Sequence, residues 1–305
     1  MKKLVLLFSV IFLSYSLYAE TGDSAASFLS LGVGANASGM GNAYSAISDG
    51  AESLYWNPGA VVLNDSKRLS FTHTAYIEST SYDTLYFTNK INEDSAFGVG
   101  LQYLSYDSLD EIDPSGIKLG SYEPSDMALS AGYSIRLRGS SSILDGAGVG
   151  VSLKYIKAEV KDSATAFAAD IGFITGLINN KFRGAVTVYN LGSKIKFDKE
   201  DENLPLMFRV GARYDINENF LTSIDLSLPR DADTYFSLGA AYKKSFDKNL
   251  LTIRAGYDGR NSDVEGFSGF NFGAGFEFSN ISVDYAFVPY GDLDTTHRIS
   301  VGFKF

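Results

Sequence analysis

From Leu69 to the last residue, apolar and polar side chains alternate with a period of two, in runs of about ten residues parted by polar turns. Fourteen such runs can be drawn: Leu69–Ile77, Thr80–Lys90, Ser95–Tyr106, Asp126–Arg138, Gly146–Lys161, Ala164–Gly176, Lys181–Leu191, Leu206–Asp215, Asn219–Leu228, Asp233–Ser245, Asn249–Asp258, Gly269–Phe278, Ile281–Val288 and Thr296–Phe305. Each is long enough for a tilted strand to cross a bilayer, which takes about 9–11 residues. In the last run Ile299, Val301, Phe303 and Phe305 share one face, and Arg298, Ser300, Gly302 and Lys304 share the other. Phe270, Phe272, Ala274, Phe276 and Phe278 likewise oppose Asn271, Gly273, Gly275 and Glu277. Lys154, Asp170, Arg183, Asp225, Arg254 and Asp284 all fall on the polar sides of their runs.

An Arg or Lys facing lipid near the midplane costs about 2–4 kcal/mol, so a polar face of this kind should meet water or an internal segment while the apolar face meets lipid. A soluble β-sandwich or barrel would alternate too, with the sense reversed. The polar face is poor in Lys and Glu and rich in Gly, Ser, Ala and Thr, which favours a crowded interior. The pattern thus predicts an all-β chain, a 14-stranded antiparallel transmembrane β-barrel. Connection lengths fit it: the turns around Glu93, Asn179, Asn217, Asp247 and Ser279 are short. The longest gaps, 107–125, 192–205 and 259–268, fall on the third, seventh and eleventh connections. A closed even barrel with both termini in the periplasm puts those three on the outer side. Two positions break the pattern. His73 lies on an apolar face, which suggests an interfacial depth, and Lys157 follows Val151, Leu153 and Tyr155, which a bulge near Tyr155 would repair.

Upstream, Met1-Lys2-Lys3, the apolar run Leu4–Leu13 and Leu17-Tyr18-Ala19 form a secretory signal peptide, residues 1–19. No other long apolar run exists, so a membrane-embedded mature chain would have to cross with strands. Cysteine is absent, which excludes a lipoprotein anchor, disulfides and thiolate metal sites. Removing Lys2 and Lys3 leaves 24 basic against 36 acidic residues, a net charge of −12, so nucleic acid is a poor partner.

Between Gly32 and Ala60 the texture changes to Gly-Val-Gly-Ala-Asn-Ala-Ser-Gly-Met-Gly and ends in Tyr55-Trp56-Asn57-Pro58-Gly59. Short helices broken at Asp49-Gly50 and stopped by Asn57-Pro58 suit it better than strands, and the glycines suit a small insert packed in a narrow space. Gly39-Met40-Gly41, the pair Ala43-Tyr44, Asp49, Ala51 and Tyr55-Trp56-Asn57-Pro58-Gly59 resemble the N-terminal signature of the PorV/PorQ and FadL-like outer-membrane barrel families, and the resemblance makes Gly39, Met40, Gly41, Tyr44, Asp49, Leu54, Tyr55, Trp56, Asn57 and Pro58 the candidate ligand and hatch residues. The order Asn57-Pro58-Gly59-Ala60 departs from the usual Asn-Pro-Ala-Gly, and Asn36 stands where many relatives have arginine. The resemblance implies an N-terminal hatch, residues 20–66, inside a barrel formed by residues 67–305 in the outer membrane of a Gram-negative-type cell. It implies passive uptake of hydrophobic small molecules such as fatty acids, with Met40, Tyr44, Ile47, Leu54, Tyr55 and Trp56 as the apolar part of the hatch. Likeness to PorV and PorQ implies instead a barrel that docks secreted cargo proteins in type IX secretion. A structural barrel with a closed plug is the third option. The ending Arg298–Phe305, with Phe303 and the terminal Phe305, looks like the signal read by the barrel assembly machinery.

Catalytic chemistry is thin. The two histidines, His73 and His297, are distant in sequence and fall on strands of opposite facing, so no metal pair is expected; no Gly-x-Ser-x-Gly elbow is present. No enzyme activity, cofactor or metal is expected. The acidic residues Asp107, Asp110, Glu111, Asp113, Glu123 and Asp126 lack EF-hand spacing and read as a solvated loop rather than a calcium site.

Overall fold

The computed structural model describes residues 24–305 except 48, 78, 142, 198–199 and 263–264; the signal peptide expected at 1–19 lies outside the described residues. The strands are β1 (Arg68–Ala75), β2 (Ser81–Asn92), β3 (Ser95–Ser105), β4 (Leu109–Ile112), β5 (Lys118–Tyr122), β6 (Ser125–Arg136), β7 (Gly148–Glu159), β8 (Ser163–Ile174), β9 (Phe182–Gly192), β10 (Ile195–Phe197), β11 (Glu200–Glu202), β12 (Met207–Asp215), β13 (Phe220–Pro229), β14 (Tyr235–Phe246), β15 (Asn249–Asp258), β16 (Phe270–Phe278), β17 (Ile281–Pro289) and β18 (Thr295–Lys304). All but β4, β5, β10 and β11 pair in one closed antiparallel barrel, sealed where β1 meets β18 with Phe71 opposite Val301. The four remaining strands form two small hairpins, β4–β5 and β10–β11, within the third and seventh connections. The fourteen runs read from the sequence are the fourteen wall strands, with ends displaced by a few residues.

Every wall strand turns a row of apolar side chains outward. Phe71, Leu85, Val99, Leu153, Phe167, Ile253, Phe276 and Ile299 are exposed, while Thr72, Thr84, Gln102, Asp170, Arg209, Asp225 and Arg298 are buried on the inward side. A closed wall of this polarity belongs in a bilayer, because it leaves no unpaired backbone edge to lipid.

Three expectations need correction. The β6–β7 and β7–β8 registers run unbroken through Tyr155, so no bulge occurs there. Lys157 simply faces outward near the end of β7, bonded to Glu159 at 2.5 Å, and Ile156 and Ala158 face inward. The bulges fall instead near Lys90 in β2 and at Asn190 in β9, whose φ is 57°. The histidines, second, lie on the same outward surface of neighbouring strands: His73 is opposite Ile299 and His297 opposite Ala75. Each has its Nδ1 taken laterally, by Asp83 at 2.7 Å and by the Tyr285 hydroxyl at 2.8 Å, which lowers the cost of an imidazole on that face. The third correction concerns the N-terminus and follows from its contacts.

Candidate functional site

The described chain begins at the outer end of the barrel. The Ala25 amide donates to the Asn203 carbonyl at 3.0 Å, and Ser24 bridges Asn203 in the loop after β9. Arg260 donates to the Ser30 carbonyl, and Arg298 donates to the carbonyls of Leu31 and Gly32 and to the Ser38 hydroxyl, the last at 2.8 Å. The expectation of both termini at one end therefore holds only for the wall, where the Phe305 amide reaches the Lys67 carbonyl at 3.0 Å. The N-terminal segment starts at the opposite end because its backbone carbonyls are taken by arginines at the outer ends of the strands.

Below these arginines comes a short helix, Ala35–Gly39, whose first amide donates to the Ser300 hydroxyl at 2.8 Å; Asn271 caps its far end through the Ser38 carbonyl at 2.9 Å. A Cβ on Gly39 would lie 2.9 Å from the Gly273 Cα, so backbone touches backbone here. Met40 and Gly41 press in the same way on Gly239 and Gly256. Asn42 donates to Asp258 at 2.7 Å, and the Ser223 hydroxyl donates to the Ala43 carbonyl at 2.7 Å. Asp225 accepts from the Tyr44 and Ser45 amides at 3.1 and 3.0 Å and from the Ser45 hydroxyl at 2.8 Å. Ile47 is buried in the same body.

Toward the periplasmic end Asp49 faces Lys243 at 3.5 Å, and that ammonium holds its carboxyl well below the usual range. Glu52 is buried and accepts from the Ser70 hydroxyl; burial pushes its carboxyl upward. A cavity of ≈ 110 Å³ opens here, lined by Asp49, Glu52, Arg68, Lys243, Arg254 and Asp284 among others. The helix Ser53–Trp56 then sets Leu54 against the Gly98 and Gly132 backbone, and Tyr55 and Trp56 edge to face at 5.0 Å. Trp56 donates to the Val33 carbonyl at 2.9 Å and lies under the Arg209 guanidinium at 5.2 Å, and Tyr189 donates to its carbonyl. Asn57 holds the exit: its side chain accepts from the Gly59 amide and donates to the carbonyls of Ser45 and Phe173. Pro58 opens a 3-10 turn to Leu63, and a Cβ on Gly59 would sit 2.7 Å from the Gly172 carbonyl oxygen and 2.8 Å from that of Gly148.

The ten residues singled out in this stretch thus form one body. Sequence reasoning missed the residues that fasten it: Ser223, Asp258, Asn271 and Arg298, and the wall glycines at positions 148, 172, 239, 256 and 273. Their one signal was position on the polar face.

In the outer half of the lumen Ala128, Ile156, Ala158, Ala164, Ala166 and Ala168 of β6, β7 and β8 face inward and form one apolar cluster with Phe28, Leu29, Ile195 and Leu204. The cavity at the periplasmic ends of β1 and β14–β18 has charged side chains in its lining, while the same apolar cluster continues through Leu54, Val61 and Val62 to Ala96 near the periplasmic end of β3. Among the described residues no group of three or more His, Cys, Asp or Glu could hold a metal.

Similar proteins bear on this architecture. The toluene transporter TodX of Pseudomonas putida superposes with a TM-score of 0.56 at 12% identity, over 89% of this chain and 96% of that one. The monoaromatic hydrocarbon channel CymD gives 0.55 at 12% identity over 90% and 96%, and a FadL homologue of Pseudomonas aeruginosa gives 0.54 at 10% over 86% and 96%. At these identities the likeness is one of fold. No curated protein matches in sequence. A family model described as type IX secretion system protein PorV matches residues 19–229, well over half of the chain. With its closed wall and apolar outer face, this is an outer-membrane β-barrel, and the chain belongs to the PorV family.

Proposed function

We propose that residues 20–66 act as a hatch and that the barrel takes up hydrophobic small molecules, such as fatty acids, passively and without enzymatic chemistry. The observation that supports this most is the apolar patch that the outer parts of β6, β7 and β8 turn into the lumen. There inward Ile156 and a row of alanines on β6–β8 face Phe28 and Leu29 from the N-terminal segment and Ile195 and Leu204 from the β9–β12 loop, in one apolar cluster that continues to Tyr55 and Trp56. These four side chains occupy the space an apolar ligand would take, and their withdrawal would leave a dry pocket above the hatch residues Tyr55 and Trp56. The hydrocarbon channels TodX and CymD share this fold, which agrees with the reading.

Mass spectrometry of detergent-purified protein should find co-purified lipid, and Phe28→Ala combined with Leu204→Ala should increase it. Purified protein free of any hydrophobic molecule, with fatty-acid uptake by cells unchanged on deleting the gene, would refute uptake. The family match favours a second reading, a barrel that docks secreted proteins through its outer loops. Recovery of secreted proteins sharing a C-terminal domain on the immobilised barrel would support it.

Assembly is expected to use the closing strand. Phe305 is 68% exposed beside Phe303, and its amide bonds to Lys67 across the β1–β18 seam. Deleting Phe305 should lower the yield of folded barrel in the membrane, read as heat-modifiable migration; unchanged migration would remove Phe305 from the signal recognised by the assembly machinery.

A further inference from the structure

The β4–β5 hairpin stands clear of the barrel on the outer side, and its tip is apolar. Ile112, Ile117 and Leu119 are 60, 61 and 65% exposed, and Leu109 nearer the root is 47% exposed. The apolar outer face of β3 ends at Tyr103, where the next outward position, Ser105, already bonds the Ser81 hydroxyl at 2.7 Å, and the hairpin starts four residues further along the chain at Leu109.

The hairpin is held in shape. At its root Tyr106 donates to Asp126 at 3.1 Å, and Lys161 in the β7–β8 turn pairs with Glu111 at 2.7 Å beneath the Tyr122 ring. At its tip the Asp113 carboxylate accepts from the Ser115 and Ile117 amides, both at 2.8 Å, so the aliphatic side chains are displayed on an ordered turn. The sheet has only two strands, β4 and β5, so each keeps one edge without a partner among the described residues. Two-stranded sheets gain most from a third strand, and exposed aliphatic clusters on rigid turns mark interaction sites. Charge selects the partner: of the five acids in residues 107–123, Asp110 pairs with Lys118 at 2.5 Å and Glu111 with Lys161, which leaves Asp107, Asp113 and Glu123 as the local acidic excess. That field repels lipid phosphates and acidic proteins and attracts a basic segment.

We propose that the β4–β5 hairpin is a docking arm that binds a basic, extended, partly aliphatic segment of a protein at the cell surface, by strand addition with Ile112, Ile117 and Leu119 as anchors. This deepens the protein-docking reading and rests on it.

The probe is a fluorescent decapeptide of alternating Val and Lys, titrated by anisotropy into the whole barrel in detergent. Controls are an alternating Val and Glu peptide, an oligolysine of equal charge, and vesicles of anionic lipid. Wild-type protein should bind the Val-Lys peptide, more weakly as salt rises. The triple variant Ile112→Ser, Ile117→Ser, Leu119→Ser should bind it about tenfold or more weakly while keeping heat-modifiable migration. Equal binding by the triple variant, or by oligolysine or the Val-Glu peptide, overturns the proposal, as does preference for lipid vesicles or absence of binding. Secreted proteins with a shared C-terminal domain, offered to both barrels, separate the two levels. Retention by wild type and triple variant alike sinks the hairpin and spares the docking reading; retention by neither, with no peptide bound, sinks both.

Discussion

Replacing Gly41 or Gly256 by valine is expected to leave the barrel wall assembled and to unseat the N-terminal segment within it. The two glycines meet face to face. A Cβ on Gly41 would fall 2.5 Å from the Tyr257 carbonyl oxygen and 2.6 Å from its carbon, and one on Gly256 would fall on the backbone of Met40 and Gly41. Neither obstacle is the end of a flexible side chain, so relaxation must move a strand or the segment, and the strand is hydrogen-bonded on both sides. Overpacking of this kind costs about 1–3 kcal/mol, and at Gly41 the left-handed φ of 62° adds about 1–2 kcal/mol more for a side chain. Valine at position 256 favours the strand itself, so the penalty falls on the contact rather than on the wall. The measurement is ion conductance across a planar bilayer with limited proteolysis of the segment, on protein whose heat-modifiable migration is normal. Both variants should conduct and be cleaved where wild type does neither. Because the φ of Gly256 is not positive, its variant carries crowding alone, and comparison with the Gly41 variant separates crowding from strain. Closed, protease-resistant Gly41 and Gly256 variants would mean that this contact does not seat the segment.

How much of this was legible beforehand follows from which forces are local. Strand positions were readable because lipid imposes one rule on every outward residue, and Phe270 to Phe278 or Ile299 to Phe305 obey it without reference to the rest of the chain. The glycine content of the polar face was readable as crowding, and the contacts of Gly148, Gly172, Gly239, Gly256 and Gly273 with the segment bear out that physical inference. What could not be read was pairing across the lumen. Nothing local ties Asn42 to Asp258 or Ser38 to Arg298, which are 216 and 260 residues apart. The supposed bulge at Tyr155 failed for a related reason. It assumed a uniformly polar interior, whereas Ile156 and Ala158 face inward into an apolar cluster with Phe28, Leu29 and the β10 residue Ile195, which the fold brings there. The facing of His73 and His297 was misjudged because the β1–β18 seam, which makes them neighbours, exists only after closure.

Asp225→Ala is expected to be the most destabilising single substitution on the lumenal side. The carboxylate is fully buried, receives three hydrogen bonds from Tyr44 and Ser45, and is the nearest anion to Arg209, at 3.9 Å from its Nη1. Its neighbour across the ladder is Gly211, where a side chain would overlap Ser45, so the wall has cleared room for this one junction. Removing the carboxylate strands the Tyr44 and Ser45 amides and leaves a buried guanidinium unbalanced, at a cost of about 3–5 kcal/mol. Asp225→Asn keeps an acceptor and should cost less. A double-mutant cycle with Arg209 distinguishes charge from packing. If the orphaned cation dominates, Asp225→Ala with Arg209→Met should be more stable than Asp225→Ala alone, although Arg209 also covers the Trp56 and Tyr189 rings at 5.2 and 5.4 Å. Urea unfolding in detergent, followed by the fluorescence of Trp56, the only tryptophan, reads both wall and segment. Strictly additive losses would show that Asp225 acts by hydrogen bonding to the Tyr44–Ser45 turn alone; a loss below about 1 kcal/mol, the scale of one ordinary hydrogen bond, would show that the junction does not hold the segment at all.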